Sequence, residues 1–370
     1  MDKIEHKYVE VNGLKLHVAE FGSGSSPAVV FLHGFPEIWY SWRHQMLAVA
    51  EAGFRAIAPD YRGYGLSDPP PEPEKASFLD FVDDLLALLD ALALSKVFLI
   101  GKVFGAAVVS IFTLLHRERV LGFVTMGVPF MPPRPPSHHQ HLPEGFYISR
   151  WKEPGRAEAD FGRLDAKTVV RNVYIMFSKS EVPIAQENQE IMDLVEPSAP
   201  LPPWFSEEDL AVYGALYEKS GFRTALQEPG RAEADFGRFD AKTVVRNVYI
   251  MFSKSEVPIA QENQEIMDLV EPSAPLPPWF TEEDLAVYGA LYEKSGQWVQ
   301  SWIYRILRIM GEKDYILKFP GIKDYIRNET VKSFVPNLEI TFMLEGGHFV
   351  QEQSPDEVNE LVLKFLRSHH

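Results

Sequence analysis

Apolar residues in the first third of the chain fall in short continuous runs. Ala28 to Leu32 is one, ending at Gly34, and Phe54 to Ala58 is a second. Val97 to Ile100 is a third and Phe123 to Val128 a fourth. Runs this short, bounded by turn residues, predict strands buried on both faces. Between them the period changes. Phe78 to Leu94 carries Phe78, Phe81, Val82, Leu85, Leu86 and Leu89 at helical spacing, and Ala106 to Leu115 forms a second helical stretch directly after the third strand. Strands alternating with helices predict an α/β fold with a mostly parallel sheet covered on both faces. The first twenty residues, Met1 to Glu20, instead alternate charged and apolar positions and lack the apolar core of a signal peptide.

Proline then interrupts the pattern. Pro129, Pro132, Pro133, Pro135 and Pro136 mark an exit from the core. Beyond them Glu153–Gly221 recurs as Glu228–Gly296, with only Leu164 becoming Phe239 and Ser206 becoming Thr281. Solenoid repeats diverge except at structural positions. Near-identity over the whole segment points to a recent duplication or an error in gene assembly. Each copy holds helical patterns, as in Asp165 to Met176 and Ser206 to Lys219, with the proline-rich stretch Pro197 to Pro203 between them. Strand texture resumes at Ile306 to Met310, despite Arg308, and at Leu338 to Met343. Pro355 to Arg367 reads as a terminal amphipathic helix. The expected organisation is an N-terminal half-core (1–136), a helical lid (137–227), a second lid copy (228–304) and a C-terminal half-core (305–370).

Composition narrows the function classes. The 370 residues carry a formal charge of −16, which argues against nucleic acid and anionic membranes as partners. The absence of cysteine excludes disulfides, thiolate metal sites and a cysteine nucleophile. Val97 to Leu115 is apolar enough to raise a membrane span, but Gly101, Lys102 and Gly105 near its middle read instead as strand, turn and helix. A cytosolic monomer or homodimer, with no membrane span, no peroxisomal signal, no metal and no cofactor, is the resulting expectation.

Chemistry concentrates at turns. Gly101-Lys102-Val103-Phe104-Gly105 follows a buried strand and opens a helix, the setting of a nucleophile elbow. Its middle residue is valine, which has no lone pair for attack. A positive φ there would strain a β-branched side chain by about 1–2 kcal/mol, so a relaxed strand–turn–helix is the competing reading. His33-Gly34-Phe35-Pro36 ends another strand. It is either a tight loop with a packed histidine or an oxyanion loop in which the N–H groups of Phe35 and Phe104 face developing charge. Asp314 and His348 each follow a late strand, where open parallel sheets place their ligands. The order elbow, acid, histidine makes His348 the candidate base and Asp314 its orienting partner.

These motifs carry a resemblance. His33-Gly34-Phe35-Pro36-Glu37, Trp39-Tyr40-Ser41-Trp42-Arg43-His44-Gln45, Asp60-Tyr61-Arg62-Gly63-Tyr64-Gly65, Gly145-Phe146-Tyr147-Ile148-Ser149-Arg150 and the segments holding Asp314 and His348 resemble the plant-type soluble epoxide hydrolases. The resemblance covers nearly the whole chain once one lid copy is set aside. It implies an α/β-hydrolase core with a helical lid, here duplicated, and a small lipophilic epoxide as substrate. In that family an elbow aspartate opens the epoxide to an ester, histidine activates the hydrolytic water, and two lid tyrosines donate to the epoxide oxygen. Tyr147 matches the first of these tyrosines and Tyr304 is the best match for the second. Phe35, Phe104, His33 and Trp39 would complete the substrate pocket.

The chain departs from the family at Val103, in its doubled lid, and at a short junction before Arg308. Impaired or lost epoxide hydrolysis is therefore expected, with a non-catalytic binding module for epoxides, diols or small lipids as the alternative. A trace hydrolase acting on esters through a water activated by His348 is a third reading. The related haloalkane dehalogenases fit less well, because Phe104 stands where they need a tryptophan.

Overall fold

A computed structural model describes residues 3–23, 27–71, 78–129, 144–222 (save 152, 154 and 182) and 306–369 (save 320 and 334). It also describes short stretches within 242–285. An eight-stranded sheet runs in the order β1-β2-β4-β3-β5-β6-β7-β8. Its strands are β1 (Glu5–Val11), β2 (Leu14–Phe21), β3 (Ala28–Leu32), β4 (Arg55–Pro59), β5 (Val97–Lys102), β6 (Val120–Met126), β7 (Ile306–Gly311) and β8 (Leu338–Met343). β2 pairs antiparallel with both β1 and β4, and the remaining pairs are parallel. Every residue of β3 and β5 is buried, as expected of central strands with helices on both faces. β1, at the edge, is mostly exposed.

The β1–β2 hairpin explains the alternation near the N-terminus. Asn12 and Gly13 both have positive φ, 48° and 78°, the two-residue turn whose twist suits a hairpin. Of the strands read from apolar runs, β3 and β8 appear with the expected ends, and the others are shifted or extended by a residue or more. β6, for example, begins at Val120 because its pairing with β5 carries it below Phe123. Pro132 to Pro136 lie outside the described residues.

Helices α1 (Arg43–Glu51), α2 (Phe78–Ala91) and α3 (Phe104–Leu115) follow β3, β4 and β5. Among the described residues, the lid helices between β6 and β7 include α4 (Tyr147–Trp151), α5 (Arg156–Gly162), α6 (Ala166–Phe177) and α7 (Glu207–Ser220). The last three are α8 (Ile322–Arg327), α9 (Val350–Gln353) and α10 (Pro355–Arg367). α10 starts with proline in its first turn and buries Val358, Val362, Phe365 and Leu366 at helical spacing; it packs on α1. The polar residues read as lid-helix starts are caps. Asp165 accepts from Thr168 N at 2.9 Å, and Ser206 and Asp209 exchange capping-box bonds at 3.1 and 3.2 Å.

Helices α6 and α7 dock on the core through a buried polar cluster. Arg43 Nη1 donates to Glu352 Oε1 at 2.7 Å, and its Nη2 lies 2.9 Å from Asp209 Oδ1. Tyr174 donates to Glu352 Oε2 at 2.8 Å and Tyr213 to Oε1 at 3.2 Å. The Tyr174 ring is stacked with Phe205 and Phe349, with centroids 4.1 and 4.4 Å away. Burial pushes the Glu352 carboxyl up, and the Arg43 guanidinium works against that shift. The described residues within 242–285 repeat contacts of the near-identical earlier stretch. Arg246 donates to Asn247 Oδ1 at 3.0 Å and to Ala274 O, as Arg171 does to Asn172 Oδ1 at 3.0 Å and to Ala199 O.

Removing one partner of a buried ion pair strands the other charge. Glu352→Ala is expected to cost about 3 kcal/mol in urea denaturation; a loss no larger than that of an exposed glutamate would show that the cluster does not anchor the lid.

Candidate active site

β5 runs into α3 through a single residue, Val103, with φ 51° and ψ −110°. The turn is not relaxed. Val103 N–H donates to Met126 O at 3.0 Å, and Val103 O accepts from Ala106 N at 3.1 Å. The flanking glycines make the turn possible. A Cβ on Gly101 would lie 2.3 Å from Gly105 O, and one on Gly105 would lie 2.0 Å from Leu32 O. Strand β3, the turn and α3 therefore touch backbone to backbone, and no other residue fits either position. A valine held at positive φ costs about 1–2 kcal/mol. Strain of this kind, fixed by its surroundings, is typical of functional turns.

His348 and Asp314 meet at this turn. The His348 ring donates from Nδ1 to Asp314 Oδ1 at 3.0 Å, and that oxygen also accepts from Ile316 N at 3.0 Å. Both residues are buried. Burial would raise the Asp314 carboxyl. The charge and hydrogen bond of His348, the Ile316 N–H and the Lys102 ammonium outweigh that and hold it below the usual carboxylate range. With Nδ1 engaged, Nε2 is the nitrogen left for chemistry. Gly127 lies between the ring and the elbow. A Cβ built there falls 3.2 Å from Val103 Cγ2 and 3.7 Å from His348 Cε1.

Tyr147, at the start of α4, reaches the dyad from the lid. Its hydroxyl lies 3.3 Å from that of Tyr315, the residue after Asp314. The Tyr315 ring packs on His348 at 4.8 Å and on Phe177 at 4.9 Å. Burial pushes both phenols well above their ordinary value, so both hydroxyls remain protonated donors near neutral pH. Sequence reading passed over Tyr315, although its place beside the acid was a signal. Tyr304, expected as the second lid tyrosine, lies outside the described residues.

The other expected residues divide. Phe35 faces the lid, against Phe161 at 6.0 Å and Phe222 at 6.2 Å. Phe104 opens α3 and packs on Phe78 at 5.8 Å. His33 is a loop pin: Nδ1–H donates to Gly34 O at 2.8 Å, and Nε2 accepts from Tyr61 N at 3.3 Å. Trp39 turns toward the N-terminal hairpin, its ring packing on His6 at 4.7 Å, while its backbone N–H donates to Asp60 Oδ1 at 2.8 Å. It belongs to that cluster rather than to the surroundings of His348.

Two charged residues that the sequence left without a role, Lys102 and Arg308, are buried near the elbow. Lys102 Nζ is 2.9 Å from Glu37 Oε1, close enough for an ion pair but poorly directed as a hydrogen bond, and both side chains are fully buried. Gln351 donates to the same oxygen. Lys102 also lies over the Phe349 ring, 4.5 Å from its centroid. Arg308, odd for a buried strand, donates to Gly127 O, to Val128 O at 3.0 Å and to Thr125 Oγ1 at 3.5 Å. Burial pushes its guanidinium down to about 10, partly offset by Asp314.

Comparison with known proteins agrees with this frame. The model of the alpha/beta hydrolase fold family matches residues 27–355. Epoxide hydrolase 1 of Siraitia grosvenorii is 34% identical over 99% of both chains. Potato (Solanum tuberosum) epoxide hydrolase I superposes with a TM-score of 0.73 at 30% identity, covering 99% of this chain and 100% of that one. A Vigna radiata epoxide hydrolase variant gives 0.74 at 29% identity over the whole of both chains. The chain belongs to the plant-type epoxide hydrolases. Among the described residues no helix is long and apolar enough to cross a membrane.

Burial pushes the imidazoles of His33, His6, His44 and His116 below their ordinary value. Such groups stabilise the fold above their unfolded value, and that contribution is lost as pH falls through the lower folded value. Unfolding free energy is expected to drop as pH falls below about 6.5, and less steeply in His33→Gln protein. Equal slopes in urea titrations of the two proteins would exclude His33 as a source.

Proposed function

We propose that this chain keeps the epoxide-binding site of its family while lacking the aspartyl-ester route. The reading rests on one arrangement: a buried Asp314–His348 dyad and the paired hydroxyls of Tyr147 and Tyr315 surround a strained elbow whose side chain is Val103. The hydroxyls suit an oxygen that gains negative charge as a strained ring opens. His348 suits the activation of water. Val103 supplies no carboxylate, so an ester at residue 103 is chemically closed. In this reading the first lid copy (137–227) covers the core halves 1–136 and 305–370, and the second copy (228–304) is a spare. The ligands are small lipophilic epoxides and their vicinal diols, bound without a metal or cofactor, with turnover by the family route lost.

Two measurements test it. The unsubstituted protein is expected to bind 1-phenyl-1,2-ethanediol saturably by calorimetry, and Tyr147→Phe to weaken that binding about tenfold, the loss of one hydrogen bond. Val103→Asp should raise styrene oxide hydrolysis by about 10³-fold or more. Folded Val103→Asp protein that neither binds the diol nor opens the epoxide would overturn the reading.

A further inference from the structure

A carboxylate remains beside the elbow. Glu37 stands two residues beyond Phe35, on the loop whose Gly34 faces Val103. A Cβ built on Gly34 would lie 2.8 Å from Glu37 Oε2 and 2.9 Å from Val103 Cβ, so the free oxygen of Glu37 and the elbow side chain flank a single point. The two oxygens of Glu37 are unequal. Oε1 is held by Lys102 and Gln351, whereas Oε2 is fully buried and has no hydrogen-bond partner among the described residues. A buried acceptor left unpaired costs about 1–3 kcal/mol, and functional sites are where such cost is tolerated. One oxygen fixed and the other bare is the disposition of a nucleophilic carboxylate. Lys102 supplies the countercharge that a buried carboxylate requires.

From this geometry we infer that Glu37 is a surrogate nucleophile, forming a glutamyl ester with an epoxide bound in the proposed site; the inference rests on that reading of the site. Oε2 attacks an epoxide carbon. The carbon–oxygen bond breaks, and its electron pair passes to the ring oxygen, which takes the proton of the Tyr147 hydroxyl. Water then gives a proton to His348 Nε2 and adds to the ester carbonyl. Collapse expels the second diol oxygen, which takes the proton of the newly formed Glu37 carboxyl group. The imidazolium proton returns to Tyr147, so water and epoxide are consumed and a vicinal diol is released.

The experiment is to trap the ester. Styrene oxide is incubated with the unsubstituted protein and with His348→Gln protein, in which the second step is blocked. The expected result is an intact-mass gain of one epoxide in His348→Gln protein, mapped by digestion to the peptide containing Glu37. Slow diol formation by the unsubstituted chain should accompany it. Glu37→Gln, checked for an unchanged melting temperature, should abolish both adduct and diol. An adduct on another residue, no adduct, or undiminished diol formation by Glu37→Gln protein would overturn the inference. Should Glu37→Gln fail to fold, the peptide map from His348→Gln protein decides alone. Diol binding by the unsubstituted chain separates the two levels: binding without an adduct removes Glu37 and leaves the proposed function standing, whereas loss of both removes each.

Discussion

Everything at the site depends on a close contact among three pieces of backbone. Gly101 on β5, Gly105 on α3 and the carbonyl of Leu32 on β3 approach too closely for any side chain to intervene. This contact bends the chain sharply between strand and helix and holds residue 103 at positive φ. The bend persists although the residue there is a valine, for which that conformation is strained. Packing around the turn, rather than the preference of residue 103, sets the conformation. The elbow geometry therefore does not depend on a polar side chain at residue 103.

Around the turn, the carboxyl ends of the parallel strands collect charge in an otherwise apolar interior. Asp314 is compensated by His348, the Ile316 N–H and Lys102. Among the described residues, Glu37 is compensated by Lys102 and Gln351 on one oxygen only. Arg308 is satisfied largely by the carbonyls that end β6, so its charge braces the loop through Gly127 that separates Val103 from His348. Farther out, Glu352 joins Arg43 of the core to Tyr174 and Tyr213 of the lid, only four residues after His348. Lid docking and the placement of the histidine thus share one short segment. Disturbing the lid would be felt at the dyad through this segment as well as through Phe177, whose ring lies 6.4 Å from that of His348.

The strand–helix alternation, the elbow glycines, the late acid and histidine, and the lid helices with their caps were all readable along the chain. Each is a local pattern: an apolar run, a glycine pair, a cap before a helix. The β1–β2 hairpin was less legible, because its half-exposed strands alternate rather than run apolar, although Asn12-Gly13 was its turn signal. His33 and Trp39 looked like parts of the pocket and are instead held by Gly34, Tyr61 and Asp60, since their motif stabilises the loop as much as it lines a site.

The sequence by itself determined the fold class, the order of elbow, acid and base, and the absence of a side-chain nucleophile at residue 103. Those follow from residue type and spacing, which need no knowledge of distant neighbours. Only the tertiary structure decided that the elbow stays strained, that Tyr315 pairs with Tyr147, and that the Glu37 carboxylate lies beside Val103. These are contacts between residues far apart in the chain, brought together by parallel strands that deliver their carboxyl ends to one edge of the sheet. What first reads as a missing nucleophile is, in three dimensions, a strained seat with another carboxylate beside it.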